Sequence, residues 1–177
     1  MVLQYEKCDE SNLEQLLEIS KKTFSDAFET DNDPNDFKTY LNVAFTKEIL
    51  NSAINNPNIA FFFTYLGEKL VAYFKLNTSE AQTDVKLSES MELERIYVLK
   101  EFQGRGIGEA ILTKIKKIAF ESEKAFLWLG VWEENQRAIK FYQRHGFSKF
   151  GTHPYFIGTD KQTDWLMRYD LVNFIPK

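Results

Sequence analysis

Residues 91–108 read M-E-L-E-R-I-Y-V-L-K-E-F-Q-G-R-G-I-G, and this stretch narrows the possible folds more than any other. Its first half alternates like a strand, with Leu93, Arg95 and Tyr97 on one side and Glu92, Glu94, Ile96 and Val98 on the other. A loop follows with Gly104, Gly106 and Gly108 set among Gln103, Arg105 and Ile107, and an amphipathic helix starts at once. A strand that feeds a glycine loop at a helix N-terminus is suited to a diphosphate. Glycine lets the backbone approach closely, several N–H groups converge, and the helix end carries about +0.5 of a charge. The chain is therefore expected to grip a phosphate-bearing ligand.

The spelling of the loop excludes two common phosphate loops. The triphosphate loop needs a lysine and a hydroxyl after its last glycine, whereas Gly108 is followed by Glu109 and Ala110. The dinucleotide fingerprint G-x-G-x-x-G needs a third glycine at position 109 or 111, which are Glu109 and Ile111. What remains is Q-x-x-G-x-G, formed by Gln103, Gly106 and Gly108. That spelling, after a strand, resembles the diphosphate loop of the GNAT (Gcn5-related N-acetyltransferase) superfamily, whose ligand is acetyl-CoA. Further along, Asn135, Ala138, Phe141, Tyr142, Gly146 and Phe147 spell N-x-x-A-x-x-F-Y-x-x-x-G-F, similar to the second signature of that superfamily. The two signatures stand in the superfamily's order and separation. The N-terminal half and the phrase Leu127-Trp128-Leu129-Gly130-Val131-Trp132 look most like PaiA-type spermidine/spermine N-acetyltransferases.

The rest of the chain reads as mixed α/β. Val2–Lys7 is strand-like. Asn12–Phe28 carries a helical stripe at Leu13, Leu16, Leu17, Ser20 and Phe24, with Ser11 or Asn12 as its cap. Residues 29–36 form an acidic turn, and 36–45 and 46–55 read as two short helices before Asn56-Pro57. Strands at 59–66 and 70–76 flank a Gly67 hairpin, and the polar stretch 77–90 reads as a loop or strand end. The helix at 108–121 turns Lys114, Lys116 and Lys117 to water. The apolar strand 125–131, the helix 135–145 ended by Gly146, and strands at 147–152 and 164–171 complete the chain. No repeat or linker is visible, so residues 1–177 are expected to form one N-acetyltransferase domain. The resemblance implies a GNAT-like α/β fold. That fold has a central mixed, mostly antiparallel sheet, two parallel central strands that splay apart, and helices on both faces.

Composition excludes several classes. One cysteine, Cys8, forbids an internal disulfide, and with only His145 and His153 beside it no structural zinc site is expected. No apolar run nears the ~20 residues needed to span a bilayer, and residues 1–10 are too polar for a signal peptide. A cytoplasmic location is expected. A net charge of −4 disfavours direct nucleic-acid binding and suits a cationic acceptor.

Amine acetylation by direct attack sets three chemical requirements. An alkylamine with a pKa of about 10.4 must lose a proton, the thioester oxygen needs a donor, and the departing thiolate is helped by an acid. The resemblance assigns the acid to Tyr142, with Phe141 turned to the core. Either Glu94 or Glu92 is expected to relay the amine proton, Glu94 being favoured. The expected donor is a backbone N–H at Ile96 or Tyr97. The expected coenzyme A contacts are Ile96, Tyr97, Val98, Gln103, Gly104, Arg105, Gly106, Ile107, Gly108, Asn135 and Tyr142, and no metal is required. Arg144 could meet the 3′-phosphate, His145 reads as a cation at a helix end, and Cys8 as a small buried hydrophobe. Asp26, Glu29, Asp31, Asp33 and Asp36 would suit a small-molecule polyamine acceptor such as spermidine or spermine. Exposed Phe156 or Trp165 would serve the homodimer the family suggests. The competing functions are acetylation of another amine or a protein N-terminus, and a regulatory protein that binds CoA without turnover.

Overall fold

A computed structural model describes residues 2–157 and 160–175, and the side chains of Asp31, Tyr155, Ile157, Asp160 and Asn173 lie outside the described set. The elements run β1 (Leu3–Lys7), α1 (Leu13–Phe28), α2 (Pro34–Ala44), α3 (Lys47–Ile54), β2 (Ile59–Leu66), β3 (Lys69–Thr78), β4 (Ser90–Val98), α4 (Ile107–Glu121), β5 (Phe126–Trp132), α5 (Gln136–Arg144), β6 (Ser148–Ile157) and β7 (Asp160–Asp170). The seven strands form one sheet in the order β1-β2-β3-β4-β5-β7-β6. Every neighbouring pair is antiparallel except β4 with β5. The expected mixed sheet with helices on both faces is thus the observed one.

Capping chemistry sets the helix starts. Asp9, rather than Ser11 or Asn12, opens the first helical segment: its carboxylate accepts from the Ser11 N–H while Asn12 Oδ1 accepts from the Asp9 N–H. Asp33 caps α2 by accepting from the Asn35 and Asp36 amides, with Pro34 at the first helical position. Thr46 caps α3 in the same way. α4 buries Ile107, Ile111, Leu112, Ile115 and Ala119 against one face of the sheet. Cutting a residue such as Ile115 to alanine would cost about 2–5 kcal/mol, because the packed core closes poorly over the gap. α1 and α3 cover the other face through Leu16, Ile19 and Leu50, which meet Phe61, Phe63 and Tyr73. The segment 79–89 lies over Phe126, Trp128 and Leu166, with Val85 packed there.

Of the two readings of 77–90, Asn77 takes the strand end: β3 continues past 76 to Thr78, and Asn77 is fully buried opposite Glu92. Two expectations about these elements change. Lys116 is not turned to water. Its ammonium donates to the His145 carbonyl at 2.7 Å and lies 3.7 Å from the centroid of the Tyr169 ring, its stem running along apolar surface. Burial there lowers its pKa to about 8. The strict alternation of β4 also fails. The pairing shifts between Lys75 and Leu76, so Lys75 faces Arg95 while Leu76 faces Leu93 and Glu94 is the extra residue of a bulge. Leu93 then shares a core with Ile96 and Val98, and Tyr97 packs on the opposite side with Tyr73. The two glutamates therefore do not share the face of Ile96 and Val98.

Candidate active site

The central parallel pair holds together over three residue pairs only, Ser90–Glu92 with Phe126–Trp128. Beyond Glu92 the two strands part. The edge of β4 that faces β5 at Ile96–Val98 then has no strand beside it, although its other edge pairs with β3. An open edge of this kind offers backbone N–H and C=O groups to an extended ligand. A cavity of about 1190 Å³ fills the gap and runs from the glycine loop to α1, β6 and β7.

One end of the cavity is built from backbone. Gly104 and Gly106 have φ of +75° and +76°, a conformation that favours glycine. A Cβ at either would meet nothing within 4 Å, so their need is conformational rather than steric. Gly106 is the N-cap of α4 and offers no side-chain acceptor, so the first-turn amides of the helix are left for a ligand. Gln103 Nε2 donates to the Val98 carbonyl at 3.0 Å and ties the loop to the strand end. Arg105 donates to the Glu101 carbonyl at 3.0 Å and stacks over Phe102, and it alone among the expected contacts is not on the cavity wall. Arg144 is exposed and lines this end. These groups fit a diphosphate: unfilled helix-start amides, a close backbone, and no side chain in the way.

Asn135 and Tyr142 mark the middle. Asn135 caps α5, its Oδ1 accepting from the Ala138 N–H at 3.0 Å, and it also lies on the wall. Tyr142 is 8 % exposed on that wall, and burial pushes its phenol well above the usual range. It therefore stays protonated at neutral pH. Phe141 packs against the main core as expected, but it is not turned from the cleft. It is the more exposed of the two, lines the same cavity and lies 3.7 Å from where a Cβ on Gly108 would be. His145 is not a helix-end cation either: burial lowers its pKa, outweighing the nearby Glu109 charge.

The other end is built from side chains. Asn77 Nδ2 donates to Glu92 Oε2 at 2.9 Å and to Glu94 Oε2 at 2.6 Å. Glu92 also accepts from the Thr83 N–H at 2.8 Å and the Thr83 hydroxyl at 2.5 Å. Burial raises the Glu92 pKa, with these hydrogen bonds working against it. Glu94 is ion-paired with Lys75, and its Oε1 is 3.4 Å from Arg95 Nε. Burial would raise its pKa too, but the Lys75 and Arg95 charges and the hydrogen bonds bring it below the usual carboxylate value. Arg95 in turn lies over the Phe45 ring at 4.6 Å.

The acidic residues that reach this end are not those expected. Of Asp26, Glu29, Asp33 and Asp36, only Asp26 is on the wall, and it pairs with Lys22 at 3.1 Å. Asp33 is consumed as a cap, and the Asp31 side chain is outside the described residues. Their place is taken by Asp84, bonded to His153 at 3.0 Å, and by Asp164. Asp164 has no hydrogen-bond or ion-pair partner among the described residues. Burial raises it to about 6, with His153 pulling the other way. It sits over Gly130, where a Cβ would come within 3.3 Å of its Oδ2. Sequence reading missed Asn77, Lys75, Asp84, His153 and Asp164. Asn77 had one local signal, a polar amide in a strand-like run, which strands disfavour.

Comparison with known proteins agrees with this geometry. The acetyltransferase (GNAT) family model matches residues 13–147. An uncharacterized N-acetyltransferase of Lactobacillus delbrueckii subsp. lactis is 36 % identical over 163 residues, covering 92 % of this chain and 94 % of that protein. Two solved structures share the fold. The PaiA N-acetyltransferase from Thermoplasma acidophilum in complex with coenzyme A has a TM-score of 0.76 at 20 % identity, over 96 % of this chain and 99 % of that one. A chimera of the spermidine N-acetyltransferase SpeG from Vibrio cholerae has a TM-score of 0.71 at 19 % identity, over 96 % of each chain. A glycine loop at a helix start, a splayed parallel pair and a match over most of the chain converge: this protein belongs to the GNAT family and is an acetyl-CoA-dependent N-acetyltransferase.

Proposed function

We propose that the acceptor is a small polycationic amine, a polyamine such as spermidine or spermine. The observation that carries this reading is the acceptor end of the cavity. Asp26, Asp84 and Asp164 stand on its wall beside Glu92 and Glu94, with Phe24, Phe28 and Tyr40. Four of these five carboxylates have a partner within the protein, whereas Asp164 has none among the described residues. A carboxylate kept partly out of water, with His153 acting on it only at a distance and no direct ion pair, favours a ligand that brings a closer positive charge. Aromatic faces beside it suit an alkylammonium chain. The SpeG chimera, by its name a spermidine N-acetyltransferase, shares the fold, which agrees with the reading.

The roles follow from the chemistry. Backbone amides from Gln103 to Gly108 hold the diphosphate, and the β4 edge at Ile96–Val98 pairs with the pantetheine arm. Glu94 relays the amine proton, because its Oε1 is the least engaged of the four glutamate oxygens. The amine nitrogen bonds to the thioester carbon, the carbon–sulfur bond breaks, and Tyr142 protonates the departing sulfur. Starting from an ammonium, the products are the amide, the free thiol and one released proton. The chain acts as a single domain in the cytoplasm. A homodimer is formed through Phe156, which is 54 % exposed, rather than through Trp165, which Lys149 covers at 3.9 Å. The test is an acceptor screen with mass-spectrometric identification of products. Acetylated spermidine or spermine supports the reading; acetylation of only amino acids or peptide N-termini overturns it.

A further inference from the structure

We propose that Asn77 is a positioning residue that locks Glu92 and Glu94 into one ionised pair, leaving Glu94 as the member open to the amine proton. The inference rests on the reading of Glu94 given above. Two carboxylates two residues apart on a strand normally point to the same side about 7 Å apart, and each is then solvated independently. Here the bulge at Glu94 changes that spacing, and one amide group meets both. Asn77 is fully buried and does not line the cavity, and its Oδ1 has no partner among the described residues. A buried amide with an orphaned oxygen is costly, so the position is not explained by packing. Its two N–H bonds go to one oxygen of each acid, and a donor held against a carboxyl favours the ionised form over the protonated one, so the shared amide biases both acids toward carboxylate.

The surroundings divide the labour between the two. Glu92 is filled: Asn77 and the Thr83 amide take one oxygen and the Thr83 hydroxyl the other. It anchors the segment 79–89, where Asp84 is tied to His153. Glu94 faces Lys75 from β3 and Arg95 from β4, and its Oε1 has only the longer Arg95 contact. Asn77 thus spaces two like charges while keeping one oxygen available.

Asn77→Leu keeps the volume and removes the donor. Acetylation of spermidine is followed from pH 5 to 9, with the KM for acetyl-CoA as a control. The acid break in kcat/KM moves up by about one to two pH units, the worth of a charge-assisted hydrogen bond. Activity at pH 5 falls about ten- to hundredfold, and the loss shrinks as pH rises. A uniform loss with an unmoved break, the behaviour of a packing defect, overturns the proposal. Asn77→Ser, which removes the bridging reach with less disturbance, is read by the same criterion if the leucine variant does not fold. Carboxyl-carbon NMR of the native protein reads the clamp without any substitution. Mutually dependent titration of Glu92 and Glu94 supports it, and two simple independent curves overturn it. If spermidine is not acetylated by the native protein, the acceptor reading fails while the NMR arm still decides the clamp.

Discussion

The two ends of the cavity are made of different material. The end proposed to hold the diphosphate is backbone: a continuous run from Gln103 to Gly108, two glycines at positive φ, and a helix start without a capping side chain. The acceptor end is side chains drawn from α1, α2, β4, β6, β7 and the segment 79–89, with Lys75 and Asn77 of β3 behind them. Backbone recognition needs only a local conformation, and every residue that supplies it is a neighbour in sequence. Side-chain recognition needs the whole fold, because Asn77, Thr83, His153 and Asp164 become neighbours only when the sheet forms. On the proposed reading the first end serves the cosubstrate and the second the acceptor.

Substitutions can break or sharpen this division. Tyr142 stands between the ends, so Tyr142→Phe is expected to lower kcat by about 10²–10⁴, as loss of a general acid does, with the Kd for CoA intact. A changed Kd would move Tyr142 into the diphosphate end. Gly106→Val is expected to weaken CoA about ten- to hundredfold by calorimetry, from ~1–3 kcal/mol of backbone strain at positive φ. Since a Cβ there meets no neighbour, an unchanged Kd would show that the left-handed turn is dispensable. Asp164→Asn is expected to raise the KM for spermidine about tenfold, from ~1.5 kcal/mol for a bond to a charged group, while the KM for acetyl-CoA holds. Equal effects on both substrates would erase the boundary between the ends.

The smallest effect concerns stability, and its sign is fixed by burial. The Asp164 carboxyl is raised to about 6, so between pH 4 and 6 the folded protein holds a proton that the unfolded chain has released. Its contribution is favourable at low pH and is lost as pH climbs through 6. Asp164→Asn is therefore expected to raise Tm by roughly 2–4 °C above pH 7, the equivalent of about 1 kcal/mol, and to change it little at pH 4. A lower Tm above pH 7 would mean that the carboxylate has a stabilising partner after all.

Legibility followed the same division. The loop, the following helix and the Asn135–Tyr142 signature were readable because their spacing in sequence is their spacing in space. Every strand and main helix read from the letters is present, α4 burying the face its periodicity marks and β5 being buried as a continuous apolar run. However, β3, β6 and β7 extend past the ranges 70–76, 147–152 and 164–171, because their added residues are polar or mixed. The bulge at Glu94 was not readable, because alternation continues unbroken through it in the letters while the pairing register shifts. The acidic stretch at 26–36 misled for the opposite reason: its charges are conspicuous in sequence, yet Asp33 is spent on a helix start and Asp26 on Lys22. Lys116 looked solvated because a long stem lets a charge lie across an aromatic ring.

The short parallel seam of Ser90–Glu92 with Phe126–Trp128 has a mechanical meaning. Among the described residues it is the only strand pairing that joins the meander β1–β4 to the trio β5, β7 and β6. Trp128 braces it, 1 % exposed, with its indole N–H donating to Gln82 at 2.7 Å. Any change in the width of the mouth would therefore be borne by a spine three residue pairs long, which links the geometry of its two walls.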